Sequence, residues 1–447
     1  MKKGMFFALA ASSLLFSACS SDDAVVSTEG QNEAVQQIVL QVASSGDGLS
    51  TRAGRPLYSS QALQTIQNVR VVIYNADTKE IVKDATQDWT KSTTYNNHGH
   101  GRQFTLTFKG NDRLEKGNYK VMAVGYSNES DYEYSLNATS AVGLTYGDIT
   151  ATLKAGKKEA EEVFAGDADL KIGDDKKITN LTSGEENGVA VTLHRQVAGS
   201  FGYFQNIPAS VNGKAAATLR LVVRDKNDVL TFNNFNSSFT ANGATGSTIK
   251  YYVNGSKSTS AATADAKFNN NEDGYVLYSI DLSKWFTEGD KNKDGLLNAE
   301  DTWTHPTSVK TQVVKGSVFG SNFVIPFNYA EGKSTMELQL LDAENNIIKT
   351  WTVSIPKDDV NTDTANGVKD ASTSIFNVVR NHMYNLGVKT SNGTTDPDPS
   401  NPTPDPDPDK PKPEPGTDQP EDLSKSQNLI LKVNDNWEAI HKMELGD

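Results

Sequence analysis

From about residue 55 onward the chain is written in short runs of alternating apolar and polar residues, broken by Gly, Asn, Asp and Ser. "VRVVIYN" (69–75), "QFTLTF" (103–108) and "YKVMAVGY" (119–126) are the clearest early runs. "ATLRLVVRD" (217–225), "YVLYSIDL" (275–282), "NFVIPFNYA" (322–330) and "MELQLLDAENNIIKTWTVSI" (336–355) follow. A two-residue period sends successive side chains to opposite faces, which is the requirement of a strand with one face in a core. The last run reads as a hairpin turning through 342–346, where Asp and Asn supply the turn. Helical period is almost absent, apart from a short stretch at 283–288. Many short strands with regular turn signals predict an all-β chain, and 447 residues exceed what one core holds, so two β-sandwiches are expected. The boundary is placed before "VAVTLHRQVA", giving sandwiches over 53–187 and 188–390.

The two ends read differently. Segment 391–422 holds ten of the chain's 15 prolines and almost nothing to bury. It reads as a semi-rigid polyproline spacer, reaching at most roughly 100 Å at about 3.1 Å per residue. Beyond it, 423–447 offers two short strands: Leu429, Leu431 and Val433 share one face, and Trp437 opens a second alternating run. Strands this short need a partner surface. At the other end "MKKGMFFALAASSLLFSAC" has two lysines, a brief apolar run and small residues before Cys19, the chain's single cysteine. The run is too short for a membrane span and reads as a secretory signal over 1–18. Its end is like a bacterial lipobox, with Cys19 as the acylated residue and an outer-membrane lipoprotein as the product.

"QIVLQV" (37–42) and "NLILKV" (428–433) share one pattern: polar, three aliphatics, long polar, valine. The first copy precedes a Gly/Ser-rich loop containing Arg52 and Arg55. Arg55 is followed by Pro56, which trypsin-like proteases resist, so cleavage between Arg52 and Ala53 is expected. A cut there frees the propeptide 19–52 with its removable strand Ile38, Leu40 and Val42. The emptied edge then seeks a replacement, and the donor strand Leu429, Leu431 and Val433 of another copy matches it. Head-to-tail addition of this kind makes an open filament. A plain stalk with incidental arginines is the alternative.

Taken together, these residues resemble the fimbrillin family of Bacteroidales surface proteins, nearest its minor-fimbria shaft subunits. The resemblance rests on the lipobox at Cys19, the loop "STRAG", "LHRQVAG" (193–199), "VVRNHMYNLGVK" (378–389), "DPDPSNPTPDPDPD" and the terminal "LKVNDNWEAIHKMEL". Phe16 stands where a lipobox usually has leucine, and Gly446 and Asp447 extend past the usual end. The resemblance implies two transthyretin-like sandwiches, a palmitoylated precursor, an arginine-specific protease, and a homopolymer joined by donor-strand exchange. It also implies partner subunits at the tip and anchor of a fimbrium, with roles in adhesion and biofilm formation. The alternatives are a non-polymerising glycan-binding surface lipoprotein and a tip or accessory subunit of the same family.

One further motif carries chemistry. "DKNKDGLLNAED" (290–301) has the spacing of an EF-hand or dockerin calcium loop. Asp290, Asn292 and Asp294 supply side-chain oxygens, Gly295 the sharp turn, Leu296 its carbonyl, Asn298 a water-mediated contact, and Asp301 the closing carboxylate. An Asx-rich surface turn is the simpler reading. His98 and His100 in "NNHGHG" lack further ligands nearby and read as a solvated turn. No nucleophile elbow, phosphate loop or metalloprotease helix is present, and no enzyme is expected. A net charge of −13 argues against nucleic acid as a partner.

Overall fold

The computed structural model describes residues 35–42, 66–94, 102–128, 130–136, 141–157, 160–183, 185–233, 235, 253–258, 263–307, 309, 313–327, 336–354, 369–370, 375–376, 378, 380, 383–387, 420–425, 429–430 and 432–434. Among them there is no α-helix. The helical stretch expected at 283–288 is a single 3-10 turn, Leu282–Lys284, capped by the Asp281 carboxylate.

The first ten strands are β1 (Gln36–Val42), β2 (Asn68–Asn75), β3 (Ile81–Asp88), β4 (Thr93–Thr94), β5 (Arg102–Phe108), β6 (Gly117–Tyr126), β7 (Tyr132–Tyr134), β8 (Ile149–Leu153), β9 (Phe164–Ile172) and β10 (Gly188–Arg195). Eight of them form one sheet in the order β3-β2-β6-β9-β10-β1-β5-β4. β9 and β10 pair only at Ala165 with His194 and Phe164 with Arg195. Beside that corner a Cβ on Gly166 would lie 2.0 Å from the Thr192 carbonyl oxygen, so glycine permits the crossing. The sheet folds over there, and its two halves share a core in which Val69, Val71, Ile73 and Val121 join Ile38, Leu40, Leu106 and Val191.

β2 carries the run "VRVVIYN" without clean alternation because both of its faces are covered. Val69, Val71 and Ile73 enter the core just described, while Val72 and Tyr74 enter a second one behind it. β8, in contrast, keeps strict alternation, with Ile149, Ala151 and Leu153 buried and the threonines between them half-buried. The second core is closed partly by strands from later in the chain.

Apart from three isolated two-stranded pairs, the later strands are β11 (Ala198–Gln205), β12 (Thr218–Val223), β13 (Val229–Phe232), β14 (Gly255–Ser256), β15 (Ala266–Lys267), β16 (Asp273–Asp281), β17 (Ser317–Val324), β18 (Met336–Leu341), β19 (Ile347–Ser354), β20 (Met383–Leu386), β21 (Glu421–Asp422), β22 (Leu429–Ile430) and β23 (Lys432–Asn434). β13 and β14 do not stay with their sequence neighbours; they extend β7 and β8 into the layer β14-β13-β8-β7. Two other sheets, β17-β11-β20-β23 with β21 beside β11, and β15-β16-β12-β18-β19-β22, enclose the core of the second sandwich. The hairpin expected through 342–346 is β18–β19, and Asp342 ties its turn by accepting from the backbone N–H of Glu344 and Asn346.

The boundary expected at 188 is therefore displaced. β10 is a central strand of the first sheet, and the crossover to the second sandwich is Gln196–Val197, with β13 and β14 returning to back the first. The alternation of "VAVTLHRQVAG" runs through both strands and gave no sign of the break. Polar chemistry marks the crossover instead. Arg195 and Glu162 are 1% and 2% exposed, and Arg195 donates to one Glu162 oxygen from Nε at 2.9 Å and from Nη2 at 2.7 Å. Next to them the Gln196 side-chain oxygen accepts from Asn254 at 3.0 Å and from Arg380 at 3.2 Å. A buried pair this well bonded disfavours any register that would separate its partners.

Candidate functional site

β1 lies inside the first sheet, parallel to β10 on one edge and antiparallel to β5 on the other. Ile38 stands opposite Val189 and Leu106, and Leu40 opposite Val191 and Phe104. Ile38 and Leu40 have no exposed surface and Val39 is also buried. The backbone of Val42 pairs with Leu193 and Arg102. A strand of alternating aliphatics with a ladder on both edges fills a slot rather than decorating an edge.

Gln36 was missed by pattern reading. It is 1% exposed, and its carboxamide is fully used. The oxygen accepts from the Leu114 N–H at 2.8 Å, and the nitrogen donates to the Leu114 carbonyl at 3.0 Å and the Lys176 carbonyl at 2.8 Å. Lys176 holds φ at 58°, so a left-handed turn presents that carbonyl. The signal was available: the match between the two ends extends one residue further back, with Gln36 aligned to Gln427 in "QQIVLQV" and "QNLILKV".

The C-terminal segment lies on the chain's own second sandwich. β21 runs parallel to β11, and the Leu423 N–H donates to the Gln205 carbonyl at 3.0 Å while its side chain is fully buried. Leu429 is 1% exposed in the same core, with β22 parallel to β19. β23 then pairs antiparallel with β20, opposing Val433 to Tyr384. Neighbouring residues thus bridge the free edges of two facing sheets. The chain leaves this sandwich after β20 and returns to it at β21, so within one copy both ends of the Pro-rich segment attach to the same sandwich.

The loop 290–301 is tightly wound. Asp290 accepts from the backbone N–H of Asp294 at 3.2 Å and of Gly295 at 2.9 Å, and Gly295 has φ of 88°. Asp294 accepts from Leu296 N–H at 2.8 Å and from the Asn298 and Asn292 side chains; these bonds, the Leu296 amide foremost, hold its carboxyl below the usual range. Asp301, 6% exposed, accepts from the N–H groups of Lys291 and Asn298, both at 2.9 Å. Leu297 buries beneath the loop, and Leu296–Leu297 pairs with Ile207–Pro208. The donor set is oxygen throughout and suits a hard cation. Among the described residues, however, no three His, Cys, Asp or Glu side chains gather within metal-holding reach.

Cys19, Arg52, Ala53, Leu431, Trp437, His98 and His100 lie outside the described residues. No described helix is long and apolar enough to cross a membrane.

No protein-family model matches the chain, and no curated protein does. Among solved structures, a candidate adhesin from Bacteroides ovatus is similar over 79% of this chain and 88% of its own, at 11% identity and a TM-score of 0.38. The tip fimbrial protein Mfa3 from Porphyromonas gingivalis is similar over 80% and 96%, at 8% identity and a TM-score of 0.36. A fimbrial assembly protein from Parabacteroides distasonis is similar over 81% and 94%, at 14% identity and a TM-score of 0.33. Likeness this distant fixes neither a family nor a function.

Proposed function

We propose that this chain is a structural pilin, exported as a lipoprotein through Cys19 and assembled at the cell surface after cleavage between Arg52 and Ala53. The observation that carries this reading is the place of β1. It is a central strand, yet its only covalent link to the rest of the sheet runs through 43–65, the segment that contains Arg52. One cut there turns β1 into a bound peptide. Its departure opens a slot between β5 and β10 with unpaired donors and acceptors on both edges, a template for strand addition.

The tail of a second copy suits that slot. Leu429, Leu431 and Val433 repeat Ile38, Leu40 and Val42, and three such side chains would contribute roughly 5–9 kcal/mol before ordering costs. Repetition from copy to copy gives a homopolymer, with other fimbrial subunits at its ends. Residues 420–425 act as the anchor of the donor arm, which starts after Leu423. The test is to treat the precursor with an arginine-specific protease and run it unboiled on a gel. A ladder with Ala53 at the new terminus is expected, and none from Arg52→Ala. Recovery of acylated Cys19 in assembled material would overturn the reading.

On the same reading the loop 290–301 takes a structural Ca2+ through Asp290, Asn292, Asp294, Leu296 and Asp301, stiffening the second sandwich. Trp303 packs 6.1 Å from Trp285 just after Asp301, so tryptophan fluorescence reports on the loop. Calcium should shift it in the parent chain and leave Asp290→Asn with Asp294→Asn unchanged.

One observation favours the glycan-binding alternative. A cavity of about 370 Å³ opens among β2, β6, β7 and β8, lined by Tyr126, Tyr132, Tyr134, Arg70, Glu133 and Lys154 among others. The buried Tyr134 hydroxyl has no partner within hydrogen-bond geometry, and burial pushes its pKa up, with the nearby Ser130 side chain opposing. Aromatic walls with polar groups between them suit a sugar ring. Saturation-transfer NMR with neutral methyl glycosides, repeated on Tyr134→Phe, tests it.

A further inference from the structure

We infer that the groove occupied by β1 contains a recognition site for a carboxamide, and that in the assembled state this site takes the Gln427 side chain of a second copy. The inference rests on the strand-exchange reading above. The site is built from backbone alone: the N–H and carbonyl of Leu114 and the carbonyl of Lys176. One acceptor oxygen and two donor hydrogens satisfy it completely, which is the inventory of a primary amide.

The site resolves an ambiguity that the aliphatic pockets leave open. A one-residue slip of an incoming strand turns every side chain to the wrong face and is excluded at once. A two-residue slip is different, because Leu429, Leu431 and Val433 repeat at the same spacing and would fill pockets again. The amide site is what penalises both slipped registers at the start of the strand. With Gln427 in the place of Gln36, Leu429 and Leu431 fall on Ile38 and Leu40. A slip one way puts Leu429 against three backbone groups it cannot satisfy, each costly when buried unpaired. A slip the other way buries the ammonium of Lys425 there, and Gln427 takes the aliphatic pocket of Ile38. The site is thus a register gauge, and its ligand is the single glutamine before the aliphatic triplet.

Hydrogen exchange at the Leu114 amide reads the occupancy directly. In full-length precursor the amide should be protected by Gln36. After cleavage and assembly of the parent chain it should be protected again. In Gln427→Leu, which keeps volume but loses the hydrogen bonds, protection should fall at least tenfold in assembled material while the neighbouring β5 ladder stays protected. Gln427→Glu sets a carboxylate against two carbonyls and should assemble still less at neutral pH, with partial recovery in acid. A synthetic peptide of 426–447 added during assembly should inhibit, and its Gln427→Ala version should require about tenfold more. Equal Leu114 protection and equal inhibition by both peptides would overturn the site while leaving strand exchange intact. A parent chain that forms no ladder and ignores the parent peptide would remove the premise instead.

Discussion

"QQIVLQV" near the N-terminus and "QNLILKV" near the C-terminus carry almost the same side chains, yet the molecule holds them in different ways. β1 is laddered along its length on both edges, buries Ile38, Val39 and Leu40, and locks its start through Gln36. Among the described residues, β22 and β23 each pair with one edge strand over two or three residues, and β22 buries Leu429. The difference shows that sequence alone does not set the strength of a strand. Two ladder edges and a bonded amide make one copy part of the core, and one short edge makes the other a detachable cover. On the strand-exchange proposal, a donor held on a weak dock and an occupant held in a strong one would need a cut, rather than a fluctuation, to exchange.

The largest expected effect breaks this comparison on the strong side. Leu40→Asp in uncut chain places a carboxylate among apolar residues and should cost ~4 kcal/mol or more, read by urea denaturation. Leu429→Asp is no less buried a position, but its penalty is capped by the free energy of docking, because the segment can leave while the sandwich stays folded. About 1 kcal/mol is expected. Equal costs would show that the tail is as integral as β1.

Deleting 426–447 should shift the precursor's melting temperature by less than about 4 °C, as expected for ~1 kcal/mol in a domain of this size, while abolishing the ladder. Shortening the Pro-rich segment by half should change less again. Its two ends both attach to the second sandwich, so halving the loop alters closure entropy by about 0.6 kcal/mol and leaves the reach of the donor arm unchanged. A ladder yield that falls with spacer length would show instead that the spacer sets the reach of the donor arm.

The all-β class and most strand positions were legible because period-two alternation survives wherever one face of a strand is less covered, as in β10, where Val189, Val191 and Leu193 are buried and Ala190, Thr192 and His194 between them are only half-buried. The pairing of strands was not. β13 lies close to β12 in sequence, yet it backs the first sandwich, and nothing in "VLTF" names its partner. Alternation also ran unbroken across Gln196, so the crossover was hidden until its buried ion pair came into view. At the site, the aliphatics of β1 could be read because pockets repeat with the strand. Gln36 was passed over, since a polar residue at a strand's start ordinarily means solvent, and its match to Gln427 gains meaning only from the carbonyls of Leu114 and Lys176. The calcium-like spacing of 290–301 was legible as a loop, while the direction of its carboxylates toward backbone amides depends on φ values that sequence does not state.

The smallest expected effect is one of pH, and it too separates the two strands. Asp422 anchors the tail: burial pushes its carboxyl up, but hydrogen bonds from Ser424, Asn206 and Lys425 outweigh that and leave it below the usual carboxylate range. A lowered folded-state pKa means the unfolded or undocked form binds the proton first. The stabilisation is therefore present in full above the ordinary Asp value and is lost as pH falls through the folded one. β1 has no titratable side chain in "QQIVLQV", so its own ladder lacks this term. Exchange of the Leu423 amide, corrected for its intrinsic rate, should accelerate a few-fold between pH 6 and pH 3 (a modest change, since Asp422 is partly solvated). Exchange of the β1 amides over the same interval should hold steady. Asp422→Asn should remove the pH dependence at Leu423 and leave it at β1 as it was. Parallel acceleration in both strands would mean that acid loosens the whole molecule, and that the tail has no separate dock to lose.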